Sequence, residues 1–173
     1  MADNKMKDIR ADKVTINIGC GGDNNSIERA KKLIAMFAKD KKSVVTLSKR
    51  RSTFGIAKGK PVGVKVTLRG DDAIKFAKIA LAGVDNVLKN TSFDEEGNFS
   101  FGLKEYIEMP GIKYDHDIGM MGFDVAVTLK RAGFRISRRK LQPKKVPASH
   151  KITKEESMQW AKEVLGANIV VSE

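Results

Sequence analysis

Residues 41–70 read KKSVVTLSKRRSTFGIAKGKPVGVKVTLRG. The stretch holds nine Lys and Arg and no Asp or Glu. It divides into strand, basic loop and strand. Ser43-Val44-Val45-Thr46-Leu47 is the first strand run. Residues 62–68 are the second, with Lys65 and Thr67 alternating against Val64, Val66 and Leu68. A two-residue period carried by β-branched side chains marks a strand with one buried face. Between the strands, residues 48–61 carry Lys49, Arg50, Arg51, Lys58 and Lys60 beside Phe54, Gly55 and Gly59. A long basic loop mounted on two strands suits contact with a polyanion. A solvated hairpin is the alternative.

Working outward, the whole chain of 173 residues has a formal charge of +12. Residues 41–70 contribute +9, and residues 130–151 hold nine further basic residues and no acid. The remainder is therefore net negative. Positive charge gathered into two blocks is the electrostatic footprint of a nucleic-acid binder. Binding to a membrane surface calls for an amphipathic basic helix with apolar anchors. Gly or Pro interrupts both blocks, which argues against that. Cys20 is the single cysteine, so no internal disulfide and no cysteine-based metal site is expected. His116 and His150 lack ligand spacing, and no metal or cofactor is expected. The opening MADNKMKDIRAD has no apolar core of a signal peptide, which predicts a cytoplasmic protein.

Along the chain, residues 13–19 alternate Val14, Ile16 and Ile18 with Thr15 and Asn17, the pattern of a half-buried strand. Gly19, Gly21 and Gly22 end it, and Asn24, Asn25 or Ser26 is expected to cap a helix. In that helix Ile27, Ala30, Leu33, Ile34, Phe37 and Ala38 share one face. A second helix is expected to start at Asp71 or Asp72, with Ile74, Ala77, Leu81, Val84 and Leu88 as its apolar stripe. Phe99 and Phe101 mark a short strand, and residues 123–129 a longer one. Prolines at 143 and 147 exclude a helix over residues 140–151, which read as a basic arm. Thr153 and Glu156 form a capping box for a last helix, and a short strand is expected over residues 169–171. The fold class is α+β: a mainly antiparallel sheet with helices on one face. The expected organisation is an RNA-binding domain over residues 1–140. A basic extended arm and C-terminal helix, residues 141–173, pack on the same domain.

Two motifs invite chemistry. Asn17-Ile-Gly-Cys-Gly-Gly-Asp23 is a strand ending in a glycine turn, as in Rossmann-like methyltransferases that bind an adenosyl cofactor. That reading wants a carboxylate at the end of the next strand, where this chain has Ser48-Lys49-Arg50-Arg51. No Ser-His-Asp or Cys-His arrangement backs nucleophilic catalysis. Asp94, Glu95 and Glu96 read as a solvated acidic loop. The basic blocks instead supply phosphate contacts, and Phe54 is either a stacking residue or an anchor for its loop.

Four stretches carry a family likeness: KVTINIG (13–19), KRRSTFGIAKGKPVGVKVTLRG (49–70), FDEEGNFSFGLKEYIEMPGIKYD (93–115) and FDVAVTLKRAGFRISRRK (123–140). The tail KKVPASHKITKEE (144–156) joins them. Together they resemble the large-subunit ribosomal protein five family, in its archaeal–eukaryotic form. The resemblance implies a structural, non-enzymatic protein of the ribosomal central protuberance that binds 5S rRNA and large-subunit rRNA. It implies 5S rRNA contacts at Asn17, Lys65, Thr67 and Arg69, joined by Lys49, Arg50 and Arg51. It implies that the loop with Phe54, Gly55, Lys58, Gly59 and Lys60 touches peptidyl-site tRNA. Further rRNA contacts are expected at Arg135, Arg138, Arg139, Lys140, Lys144 and Lys145. Other implied partners are a small-subunit head protein and neighbours in the protuberance, with no membrane partner and a monomer off the ribosome. Many relatives carry a glutamine before the second strand, where this chain has Asp40-Lys41-Lys42, so a contact from that position is not expected here. The rival readings are the methyltransferase and a general RNA chaperone.

Overall fold

The computed structural model describes residues 4–38, 41–49 and 55–170. The alternating stretches become strands β1 (Ile9–Gly19), β2 (Val44–Leu47), β3 (Pro61–Leu68), β5 (Phe99–Leu103) and β6 (Phe123–Arg131). These five form one sheet in the order β2-β3-β1-β6-β5. Every neighbouring pair in it is antiparallel. A hairpin joins β2 to β3, and longer excursions carry the chain between the other neighbours.

Helices α1 (Asn24–Phe37) and α2 (Asp71–Ala82) pack on one face of this sheet. The buried positions of the strands meet them: Val14, Ile16 and Ile18 of β1, Val64, Val66 and Leu68 of β3, and Val125 and Val127 of β6. Each such side chain contributes about 1.5–3 kcal/mol on burial. Phe37 links the layers, with its ring centroid 5.5 Å from Phe76 of α2 and 5.2 Å from Phe123 of β6. The third helix, α3 (Lys154–Trp160), continues as a π-helical stretch over Ala161–Leu165. Trp160 packs 6.5 Å from Phe99, so α3 lies on the same side as the other two.

Three local expectations need correction. The cap of α1 is Asp23, not Asn24, Asn25 or Ser26, because its carboxylate accepts from the N–H groups of Asn25 and Ser26. The cap position of α2 is Gly70, and Asp71 and Asp72 sit in the first turn, where their charge favours the helix dipole. The apolar stripe of α2 is Ala73, Phe76, Ala77, Ala80 and Leu81. Val84 and Leu88 lie beyond it, since the helix stops at Ala82 and Asp85 and Asn86 turn left-handed with φ of 52° and 58°. Leu88 instead belongs to strand β4 (Val87–Lys89), which pairs in parallel with β7 (Asn168–Val170) as a small second sheet.

The capping box forms as read: the Glu156 N–H donates to Thr153 Oγ1, and the Thr153 N–H donates to Glu156 Oε2 at 3.0 Å. Residues 140–151 contain no strand and no α-helix. The chain turns back at Gln142, with φ of 48°, and the Lys144 N–H donates to the Ile136 carbonyl at 3.1 Å. No helix among the described residues is long and apolar enough to cross a membrane.

Candidate nucleic-acid interface

With the helices on one side, the other face of the large sheet is left open. Its side chains follow from strand parity. Lys65 of β3 stands opposite Asn17 of β1, and Thr67 opposite Thr15. Asn17 in turn faces Asp124 of β6, Thr15 faces Ala126, and Lys13 faces Thr128. On the far strand Ser100 meets Ala126, and Gly102 meets Asp124. The floor is thus made of small and polar groups, with Asn17 and Lys65 exposed and Thr15 and Thr67 half-buried. Arg69 follows the end of β3 on the same parity as Lys65 and Thr67, and it is exposed.

The structure therefore brings Asn17, Lys65, Thr67 and Arg69 to one side of the sheet, on two neighbouring strands. Sequence reasoning passed over Lys13 and Thr15, which share that face. The same two-residue period that placed Asn17 was the signal for them. Asp124 is the acid of this face, and it divides the β1–β3 half from the β6–β5 half. A flat polar surface of this kind suits the wide, shallow minor groove of an RNA helix, where 2′-hydroxyls and base edges are displayed.

The loop between β2 and β3 rises from the edge of this face. Its base is held as a hairpin: the Ser48 N–H donates to the Lys60 carbonyl at 2.8 Å, and the Gly59 N–H to the Ser48 carbonyl at 2.9 Å. Gly59 has φ of 84° at the turn after Lys58, a conformation that favours glycine. Lys58, Gly59 and Lys60 are exposed, as is Gly55. Lys49 is exposed at the hairpin base. Arg50, Arg51 and Phe54 lie outside the described residues, as does Asp40.

The glycine turn beside it does not form a cofactor cradle. Its strand β1 lies between two antiparallel neighbours, whereas the cofactor-binding fold needs parallel ones. The start of α1 is already filled by the Asp23 carboxylate, which also accepts from the Ser26 hydroxyl at 2.7 Å. The Ser26 hydroxyl and N–H hold the Asp23 carboxyl below the usual range, so negative charge occupies the place a phosphate would take. The Cys20 N–H donates to the Val62 carbonyl at 2.9 Å, which ties this turn to the foot of the basic loop. Burial pushes the Cys20 thiol up, the wrong direction for a nucleophile.

The second basic block surrounds the opposite end of the sheet. Arg135, Arg138, Arg139, Lys140, Lys144 and Lys145 are all exposed. Two of them are already engaged. Arg138 Nη1 donates to Asp12 Oδ2 at 2.8 Å, and Arg139 Nε donates to the Gln142 carbonyl at 2.8 Å. Asp12 sits at a bulge in β1 between Ala11 and Lys13, is 8% exposed, and also accepts from Lys130 Nζ at 2.7 Å. Burial alone would raise its carboxyl. The two hydrogen bonds and positive charges outweigh burial and hold it below the usual carboxylate range.

Arg131, also 8% exposed, donates to the carbonyls of Lys7 and Lys151 and, at 2.7 Å, to Glu156 Oε1. It joins the N-terminal segment, the arm and α3 at one point. Burial would raise the Glu156 carboxyl, but the Thr153 N–H and Arg131 together lower it. Nothing in the sequence marked Asp12 or Arg131. A bulge and a buried cation both arise from pairings more than a hundred residues apart. No group of three or more His, Cys, Asp or Glu that suits a metal ion exists among the described residues.

Comparison with known proteins agrees with this geometry. The family model for the C-terminus of the uL5 ribosomal proteins matches residues 61–160. A protein of Methanosphaera stadtmanae named large ribosomal subunit protein uL5 is 48% identical, over 91% of this chain and 94% of its own length. Proteins of the same name from Methanobrevibacter smithii and Sulfurisphaera tokodaii are 42% and 43% identical, each over 96% of this chain and over 98% and 95% of their own lengths. The chain belongs to the ribosomal uL5 family in its archaeal form, a family of structural large-subunit ribosomal proteins and not of enzymes.

Proposed function

We propose that this protein, as a structural constituent of the large ribosomal subunit, grips 5S rRNA with the open face of its sheet. The observation that carries the reading is the helix-free face on which Asn17, Lys65 and Thr67 stand side by side, with Arg69 at its edge. Lys65 and Arg69 neutralise phosphates and release counterions, a term independent of sequence. The Asn17 amide and the Thr67 hydroxyl supply donors and acceptors for 2′-hydroxyls or base edges. The basic loop reaches peptidyl-site tRNA through Lys58, Gly59 and Lys60, and its exposed position beside the sheet supports that division of labour. The arm with Arg135, Lys140, Lys144 and Lys145 reaches large-subunit rRNA. Contacts with neighbouring protuberance proteins and with a small-subunit head protein complete the set of partners, on the cytoplasmic ribosome.

The deciding measurement compares 5S rRNA with an unrelated structured RNA of equal length, at one salt concentration and then across a salt series. Tighter binding to 5S rRNA, with a steep salt dependence, is expected. Equal affinity for both RNAs would instead make the protein a general RNA chaperone. Deleting residues 54–59 should spare 5S rRNA binding and weaken tRNA-dependent translation. Collapse of 5S rRNA binding in that deletion would reassign the loop.

A further inference from the structure

At the far edge of the open face a groove of about 590 Å³ runs between the sheet and the basic arm. That volume falls within the range of small-molecule sites, roughly 300–1,000 Å³. Asn98 and Thr128 line it with hydrogen-bonding groups, and Phe134 and Val146 line it with apolar surface. Arg138 and Lys145 stand on its rim. Thr128 is the register partner of Lys13, so the groove opens directly onto the face that carries Thr15 and Asn17.

Its walls are fixed in place. The Asp12 carboxylate holds Arg138. The Phe134 ring meets the His150 ring edge-on with centroids 5.8 Å apart, and His150 Nε2 lies 2.7 Å from the Ala132 carbonyl oxygen. On the other side the turn before β5 presses against the end of the arm. A Cβ on Gly97, where φ is 79°, would stand 2.5 Å from Ile152 Cγ2, so only glycine admits this approach. Glu96 in that turn pairs with Lys151 at 3.0 Å, which places a carboxylate acceptor at the groove as well.

We propose that this groove receives a single unstacked nucleotide of the bound RNA, a use that rests on the RNA-binding reading above. A nucleotide needs an apolar wall for its ring, polar groups for its base edge and cations for its phosphate, and the groove presents all three together. Phe134 and Val146 flank the base. Asn98, Thr128 and the Glu96 carboxylate meet its edge, and the carboxylate favours bases with an exocyclic amino group. Arg138 and Lys145 take the phosphate. Sequence-specific contacts to RNA usually involve such splayed bases, and a flat sheet face alone offers no place for one.

Two measurements test this. In the first, the full chain is titrated with each of the four nucleoside 5′-monophosphates, and with inorganic phosphate at matched ionic strength, while backbone amide resonances are followed. Saturable shifts at Asn98, Thr128 and Ser137 are expected with nucleotides and not with phosphate. Shifts that phosphate reproduces, or no shifts, overturn the proposal, and this arm needs no variant. In the second, Val146→Trp fills the groove from the arm side. It should abolish those shifts and weaken 5S rRNA binding by about tenfold at fixed salt with the salt slope unchanged, in keeping with the loss of one stacked base. Affinity equal to the unsubstituted protein overturns the proposal. Failure of the wider RNA reading looks different: the unsubstituted chain would bind 5S rRNA no better than an unrelated RNA, whatever the mononucleotides do.

Discussion

The two basic blocks carry equal charge in the sequence and put it to different uses. In residues 41–70 none of the described cations forms an ion pair with a described acid. In residues 130–151, Lys130 and Arg138 share Asp12, Arg131 holds Glu156, and Lys151 holds Glu96. The first block thus keeps its charge for a partner, while the second uses much of it to fasten the arm and α3 to the sheet. Net charge counts both alike. What separates them is where the acids of the rest of the chain come to lie, and that is a property of the fold.

This contrast can be broken by substitution. Arg131→Met should have the largest effect, a loss of about 2–4 kcal/mol in a urea titration, because it strands two carbonyls and Glu156 at a buried junction. Little change in the unfolding midpoint would mean that the second block is not a fastening. Arg69→Ala should do the opposite: 5S rRNA affinity falls by about 1–3 kcal/mol while stability moves by less than about 0.5. Binding unchanged in that variant removes Arg69 from the interface.

Asp12→Asn should cost about 1–2 kcal/mol of stability, a modest figure because Lys130 and Arg138 both reach water. The pH dependence sharpens this. The carboxyls of Asp12 and Glu156 are both lowered in the folded protein. The stability they supply is present above the ordinary carboxylate value, about 4, and drains away as pH falls through their lower folded values. Acid unfolding followed by circular dichroism should therefore be shallower in Asp12→Asn than in the unsubstituted protein. The smallest effect belongs to Lys65→Ala, which should lower the slope of log affinity against log salt by about one phosphate's worth and leave the unfolding curve alone. An unchanged slope would show that Lys65 meets no phosphate.

The sequence made the sheet and its open face legible because both rest on short-range periodicity. Val14, Ile16 and Ile18 against Thr15 and Asn17, and Val64, Val66 and Leu68 against Lys65 and Thr67, specify which side is wet before any partner strand is known. The capping box at Thr153 and Glu156 is equally local. Leu88 was misplaced because its apolar character continues the period of α2, and the left-handed turn at Asp85 and Asn86 has no proline or glycine within it to announce a break. The clamp at Asp12 was invisible for another reason. A bulge depends on how two distant strands fall into register, and an acid in a polar lead-in looks like any solvated side chain. Most of the interface could thus be read from β1 and β3 alone, whereas the state of the arm's charges could not.

The small parallel sheet has a kinetic consequence. Strand β4 finds its partner in β7, about 80 residues further along the chain, and the Asn168 N–H closes the pairing onto the Asn86 carbonyl at 2.6 Å. During synthesis from the N-terminus the five strands of the large sheet and both of the longer helices emerge before β7 does. Strand β4 must wait beside an otherwise complete sheet with its edge unpaired, open to misplaced pairing, until the last helix has been made. Docking of β7 is therefore expected as a separate late phase of folding, which amide protection at Leu88 would report after that at Ile16 or Val66.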